Sequence, residues 1–261
     1  MAEVAIPEVL KKFSEDLIAK QRSYVSIKAT ALDCELDKDP LDIKRSKFLG
    51  VPFVPEGTEY PTDECGDPLV LIAQINFSEV PLLEGFPDEG ILQLYFKTKD
   101  WWDMSGEEKF IFITGTEANK PQRNDLPPID NNMYKELPVW KIHKLEFVKA
   151  IDTGNSEDCQ FSFDFDGKDY WDFEESLSGK HKEAFESYFT NEGHKIGGYA
   201  DFTQGDPRDY ECDQQHDVQI LQIDVDDEIM FGDSGIGHIF ISPEHLKNRE
   251  FEKSYFYWDC C

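Results

Sequence analysis

Short apolar runs separated by polar, Gly- and Pro-bearing stretches predict many brief strands and few helices along this chain. Val70 to Ile75, Gly90 to Phe96, Val218 to Ile223 and Gly235 to Ile241 have strand length, are rich in Ile, Leu and Phe, and end at turn residues. Runs this apolar suit strands buried on at least one face. Lys109–Thr114, Leu137–Phe147 and Cys159–Phe165 are also strand-like. In the last, Phe161, Phe163 and Phe165 point one way and Ser162 and Asp164 the other. Helical spacing occurs at three places. Ile6, Leu10, Phe13 and Leu17 share one face of a segment from Pro7 to Arg22, with the proline in its first turn. Ser176 to Glu192 gathers Leu177, Ala184, Phe185, Tyr188 and Phe189 on one face and stops at Gly193. Ser242-Pro243-Glu244-His245-Leu246 reads as an N-cap, a first-turn proline and a short helix. Pro121 to Asn132 is a polar, proline-bearing loop.

Part of this pattern occurs twice. Ser46-Lys47-Phe48-Leu49-Gly50 resembles His194-Lys195-Ile196-Gly197-Gly198, and Val70 to Ile75 resembles Val218 to Ile223. Gly50 to Gln74 and Gly198 to Gln222 are both separations of 24 residues (74 − 50 and 222 − 198). Between them Gly57 matches Gly205, and after a short deletion Gly90-Ile91 aligns with Gly235-Ile236. One long-period pair implies duplication, whereas a solenoid needs three or more short units. The expected fold class is therefore α+β: two duplicated, β-rich, mainly antiparallel halves packed together, with an N-terminal helix and few further helices. Residues 1–45 would be a helical lead-in, 46–150 the first repeat, and 151–261 the second repeat with its preceding helix, all in one globular unit.

Charge narrows the partners. The 26 Lys and Arg stand against 54 Asp and Glu, a formal net charge of −28, so phosphate backbones and anionic lipid surfaces are disfavoured. No nucleic acid and no membrane is expected as a partner, and a basic protein is the favoured class. No apolar run approaches the ~18 residues of a membrane span, and Met1 to Pro7 lacks the pattern of a secretory signal. Six cysteines, at 34, 65, 159, 212, 260 and 261, include no C-x-x-C pair, which fits a reducing, cytoplasmic setting. Cys260-Cys261 are read as incidental thiols. The histidines never fall at metal-ligand spacing, so no metal and no cofactor is expected.

The order of His194-Lys195-Ile196-Gly197-Gly198-Tyr199, Gln204-Gly205-Asp206, Ile220 to Asp224, Asp226-Asp227-Glu228 and Gly232-Asp233-Ser234-Gly235 resembles the YwqG-like family. Pro61 and Ala73-Gln74-Ile75-Asn76-Phe77-Ser78 resemble that family's first half, and the likeness spans about residues 40 to 261. Leu49, where a glycine is expected, and Ala200, where a proline is common, depart from the pattern. The family is bacterial in type and of unknown biochemical function. Its members are similar to proteins encoded near secreted polymorphic toxins, so the resemblance implies an immunity-like or partner-binding role, with a toxin domain as the partner.

The candidate chemistry is sparse. Asp224, Asp226, Asp227, Glu228 and Asp233 could attract a hard cation but lack the spacing of a calcium loop, and read better as a solvated acidic turn. Ser234 lies in G-D-S-G, not in a G-x-S-x-G elbow. Gln74 and Gln222 sit inside apolar strands, where a buried amide must find partners at a cost of about 1–3 kcal/mol if it fails. Each would tie its strand to the nearby glycine turn or present an amide to a ligand. Trp101 and Trp102 are the best aromatic anchors for a surface. Candidate binding residues are therefore Gln74, Gln222, Gly198, Asp233, Trp101 and Trp102, with no catalytic residue assigned. The favoured function is a non-enzymatic, protein-binding module, and the alternative is a hydrolase with a carboxylate site between the two repeats.

Overall fold

Strands that bury both faces must satisfy their backbone N–H and C=O groups on neighbouring strands. In the computed structural model, which describes residues 4–103, 106, 108–128, 136–190, 192–209 and 213–260, the apolar runs do so in one ten-stranded sheet. Its strands are β1 (Arg22–Ala31), β2 (Lys47–Phe48), β3 (Val70–Asn76), β4 (Ile91–Phe96), β5 (Lys109–Ile113), β6 (His143–Asp152), β7 (Lys195–Gly197), β8 (Val218–Ile223), β9 (Ile236–Ile241) and β10 (Tyr255–Asp259). They lie in the order β10-β9-β8-β7-β1-β6-β2-β3-β4-β5, and every pairing is antiparallel.

The two longest strands form the middle of the sheet, paired from Arg22↔Asp152 to Ala31↔His143. β7 to β10 extend from β1 on one side, and β2 to β5 extend from β6 on the other. The two flanks use the same registers. Lys47 lies opposite Gln74 as Lys195 lies opposite Gln222. Register shifts fall between Leu71 and Ala73 on β3 and between Gln219 and Leu221 on β8.

The sheet is curled so that its far edges meet through aromatic side chains. Phe96 of β4 lies 4.8 Å from Phe256 of β10, and Phe112 of β5 lies 4.6 Å from the buried Phe251, which precedes β10. Each fully buried Phe contributes about 1.5–3 kcal/mol, so this closure shields edges that would otherwise present unpaired backbone groups. One face of the sheet, with Val25, Ile72, Leu145, Ile196 and Ile220, packs into the main apolar core.

Helices are short. A 3₁₀ turn (Glu8–Phe13) runs into α1 (Ser14–Lys20); α2 (Gly115–Ala118) is capped by Thr114; α3 (Tyr170–Glu175) and α4 (Lys180–Tyr188) follow β6; α5 (Pro243–Asn248) is capped by Ser242. Leu10, Phe13 and Leu17 pack against Phe165, Phe173 and Phe185 in a second, largely aromatic core. No helix among the described residues is long and apolar enough to cross a membrane.

Several expected elements differ. The segment expected to be a helical lead-in also contributes β1, whose Ser23, Val25, Ile27 and Ala29 alternate with Tyr24, Ser26 and Lys28. Cys159–Phe165 forms no strand, because its backbone is turned locally: Phe161 N–H donates to the Asp158 carbonyl and Phe165 N–H to the Lys168 carbonyl. Its alternating phenylalanines fill the aromatic core instead. The expected helix from Ser176 is broken at Gly179, which adopts φ 53°. β6 begins at His143, later than the Leu137 expected, since Val139 makes an isolated bridge to Ile229. Residues 129–132 of the central loop, Cys212 and Cys261 lie outside the described residues.

Candidate functional site

The glutamines are read best from the backbone they hold. Gln74 is fully buried on β3; its Nε2 donates to the carbonyls of Ile43 (2.9 Å) and Arg45 (2.8 Å). Its Oε1 accepts from Phe53 N–H (2.9 Å) and from Gln93 Nε2 (2.7 Å). Gln222, fully buried on β8, donates from Nε2 to the Gly193 carbonyl (2.9 Å) and accepts at Oε1 from Asp201 N–H (2.9 Å). Each amide thus ties the chain before its flank's first strand to the loop after it, which meets the demand that a buried amide be paired.

A carboxylate sits under each glycine turn. Asp39 Oδ2 accepts from Lys47 Nζ (2.8 Å) and Val51 N–H (3.0 Å). Asp152 Oδ2 accepts from Tyr199 N–H (2.9 Å), with Lys195 Nζ 3.6 Å away. Burial pushes both lysine ammoniums below their usual range, against the pull of those aspartates. A Cβ on Gly50 would stand 2.5 Å from Asp39 Oδ2, and one on Gly198 2.6 Å from Asp152 Oδ2, at φ of +90° and +78°. Gly198→Ala should therefore lose about 2–4 kcal/mol, through left-handed strain and the displaced buried carboxylate. Urea unfolding measures it, and a loss under about 0.5 kcal/mol would show that the turn does not need glycine.

Acids in the second flank gather around an arginine. Arg208 is 1% exposed, and its Nη2 lies 2.8 Å from Asp158 Oδ2 and 2.6 Å from Asp206 Oδ2. Asp158, Cys159 and Asp206 are close enough together to hold a cation, but the guanidinium already stands against both carboxylates. Burial pushes the Cys159 thiol up to about 12, which opposes a nucleophilic thiolate. The acids read as a solvated turn are divided among other partners. Asp224 accepts from Val225 N–H (2.7 Å), Asp226 Oδ2 lies 3.7 and 3.6 Å from the Nε2 atoms of His143 and His194, and Glu228 pairs with Lys141 at 2.7 Å.

Trp101, Trp102 and Asp233 come together at one end of the sheet. Trp101 is wedged between Phe96 (5.9 Å), Phe231 (5.7 Å) and Trp258 (5.3 Å), and its Nε1 donates to the Glu136 carbonyl. Trp258 Nε1 donates to the Trp102 carbonyl at 3.3 Å, while the Trp102 side chain remains 55% exposed. The Trp258 ring also covers Gly232, whose Cβ would lie 2.6 Å from it, and Asp233 projects from that exposed turn. Elsewhere, Gln222 on β8 accepts from Asp201 N–H in the loop that follows Gly198, and Gln74 lies on the opposite flank. Sequence reading passed over Arg208, which sits in an unremarkable Asp-Pro-Arg-Asp stretch. Lys47 and Lys195, whose recurrence is visible in the sequence, stand buried against the aspartates of the two glycine turns.

Residues 46–260 match the family described as "Domain of unknown function (DUF1963)". No curated protein matches the chain.

Proposed function

From the premise that this chain belongs to the DUF1963 family, a domain of unknown function, we propose that it is a non-enzymatic module that binds a basic protein, YwqG-like and immunity-like in role. The observation that carries this reading is the exposed Trp102, whose carbonyl accepts from Trp258 Nε1 and whose neighbour Trp101 packs on Trp258, near the Gly232–Gly235 turn that carries Asp233. Exposed aromatic rings are the anchors that dominate interface energies. The net charge of −28 would steer a cationic partner, such as a basic toxin domain, towards it.

We read the mirrored strand order, the shared registers and the matched glutamine bonds as support for an internal duplication with boundaries near residues 46–150 and 151–261. On this reading the duplication built a scaffold, and the binding surface lies where its aromatic ends meet. The hydrolase alternative finds Asp158 and Asp206 engaged by Arg208, which leaves them little capacity for acid–base work.

The test is capture of partners on the wild-type chain and on Trp102→Ala, followed by stopped-flow association of a captured basic protein. Raising salt from 0.01 to 0.15 M shortens the Debye length from ~30 to ~8 Å, so the on-rate should fall at least about tenfold. Trp102→Ala should raise the off-rate by about tenfold or more and leave that salt slope unchanged. An on-rate indifferent to salt, or an off-rate indifferent to Trp102, would remove the basis of the proposal.

A further inference from the structure

A cleft of about 580 Å³ opens where the end of β1 meets β6, β7, β8 and the loop around residues 83–86. Its size lies within the usual range for small-molecule sites. Two cations, Arg22 and Lys149, and one acid, the exposed Glu84, line it, a net positive wall on a molecule of net charge −28; among the described residues neither cation makes an ion pair.

Arg22 is held ready. Its guanidinium carbon lies 3.9 Å above the Tyr199 ring, and Nη1 donates to Gln160 Oε1 at 2.9 Å. A planar fork fixed in this way suits the paired oxygens of a carboxylate or phosphate. Lys149 Nζ donates to the Leu82 carbonyl at 2.6 Å, which places a second positive charge on the same cleft. Gly197 and Gly198 leave part of the wall as bare backbone, and a Cβ on Gly197 would come within 2.8 Å of Leu83. Leu83, Phe86 and Val218 supply an apolar side.

We propose that this cleft binds a small organic anion, its carboxylate or phosphate on Arg22 and Lys149 and its apolar body against Leu83 and Phe86. Equivalent placement on the other flank gives a different pocket: the cleft beside Gly50 is about 210 Å³ and is lined by Val51, Pro52, Tyr60 and Leu71, with no cation. The paired cations of the Gly198 side are therefore not repeated in the cleft beside Gly50. Anion binding is independent of the protein-binding surface at Trp102.

Calorimetric titration at 0.15 M salt tests the cleft with phenyl phosphate, benzoate, phenol and inorganic phosphate. Phenyl phosphate or benzoate should bind with a dissociation constant on the order of 0.1–1 mM, and phenol and inorganic phosphate at least about tenfold more weakly. The tighter of the two aromatic anions identifies the headgroup. In Arg22→Met/Lys149→Met that binding should weaken at least about tenfold. Arg22→Lys, which keeps the charge but loses the fork, gives the same reading with a smaller loss should the double variant not fold. Two results would overturn the proposal: neither aromatic anion binding below about 10 mM, or affinity unchanged in these variants. Inorganic phosphate binding as tightly as phenyl phosphate would overturn the apolar half of the site.

Discussion

Replacing Arg208 with Met should cost about 3–5 kcal/mol of stability at pH 7, because it leaves two buried carboxylates without their cation. Asp158 and Asp206 are 1% and 4% exposed, and Arg208 also donates to the Asp217 carbonyl at 2.9 Å and stacks 4.5 Å from Phe240. Burial alone would push the Asp206 carboxyl up, but the hydrogen bonds and charge of Arg208 more than reverse this and hold it below its ordinary value. In the native chain that depressed carboxyl contributes stability above its unfolded pKa, lost as pH falls through the folded one. In the variant the sign inverts. A buried, unpaired carboxyl has a raised pKa, so its folded state gains protons and is least stable at high pH. The deficit should thus shrink from pH 7 to pH 5. Urea midpoints at both values decide it, and a loss under about 1 kcal/mol, or one independent of pH, would contradict the account.

His238 should make the protein sensitive to acid. The ring is fully buried on β9, Nδ1 faces Gln219 Oε1 at 3.1 Å, and Nε2 has no hydrogen-bond partner among the described residues. Burial, with help from Arg208 and Lys195, lowers its pKa from 6.5 to about 3. Below 6.5 the unfolded chain takes up a proton that the native ring refuses until about 3, so stability falls with pH across that window. At ~1.36 kcal/mol per unit, this amounts to about 2–3 kcal/mol at pH 4.5. The other flank suggests the remedy. Gln93 lies opposite Gln74 in the register where His238 lies opposite Gln222. His238→Gln should flatten the decline between pH 6.5 and 4.5 by that amount, with His143, also lowered by burial, retaining a share of the slope. Thermal unfolding of both proteins across this range is the measurement. Parallel curves would mean that His238 is protonated in the folded state.

What the sequence revealed follows from what each residue must satisfy. β3, β4, β8 and β9 were legible because strands buried on both faces need unbroken apolar runs, and α5 because Ser242 and Pro243 mark a helix start by local bonding. β1 was hidden by its own chemistry: Ser23, Lys28 and Thr30 dilute the pattern, and its central place is set by strands more than a hundred residues away. The Phe161–Phe165 alternation was genuine, but a period of two does not say whether the buried side meets a sheet or a cluster of rings. The candidate surface was half visible. Two adjacent tryptophans mark an anchor in any sequence, but only the fold brings Trp258 and the Asp233 turn beside them. The cationic cleft was not visible at all, since Arg22 and Lys149 are ordinary residues until β1 and β6 align.

The central pairing of β1 with β6 also sets a schedule for synthesis. When β5 has left the ribosome, the nascent chain holds β1 to β5, yet β1 bonds only to β6 and β7, and β2 has lost one of its two neighbours. Translation must run on to residue 197 before the middle of the sheet can close, a delay of roughly 4–17 s at 5–20 residues per second. Throughout that interval the apolar strands β3 and β4 lack the aromatic cover that Phe251 and Phe256 later provide. Their dependence on late-arriving residues leaves the apolar strands of the unfinished chain most exposed to misassociation while residues 113 to 197 are being added.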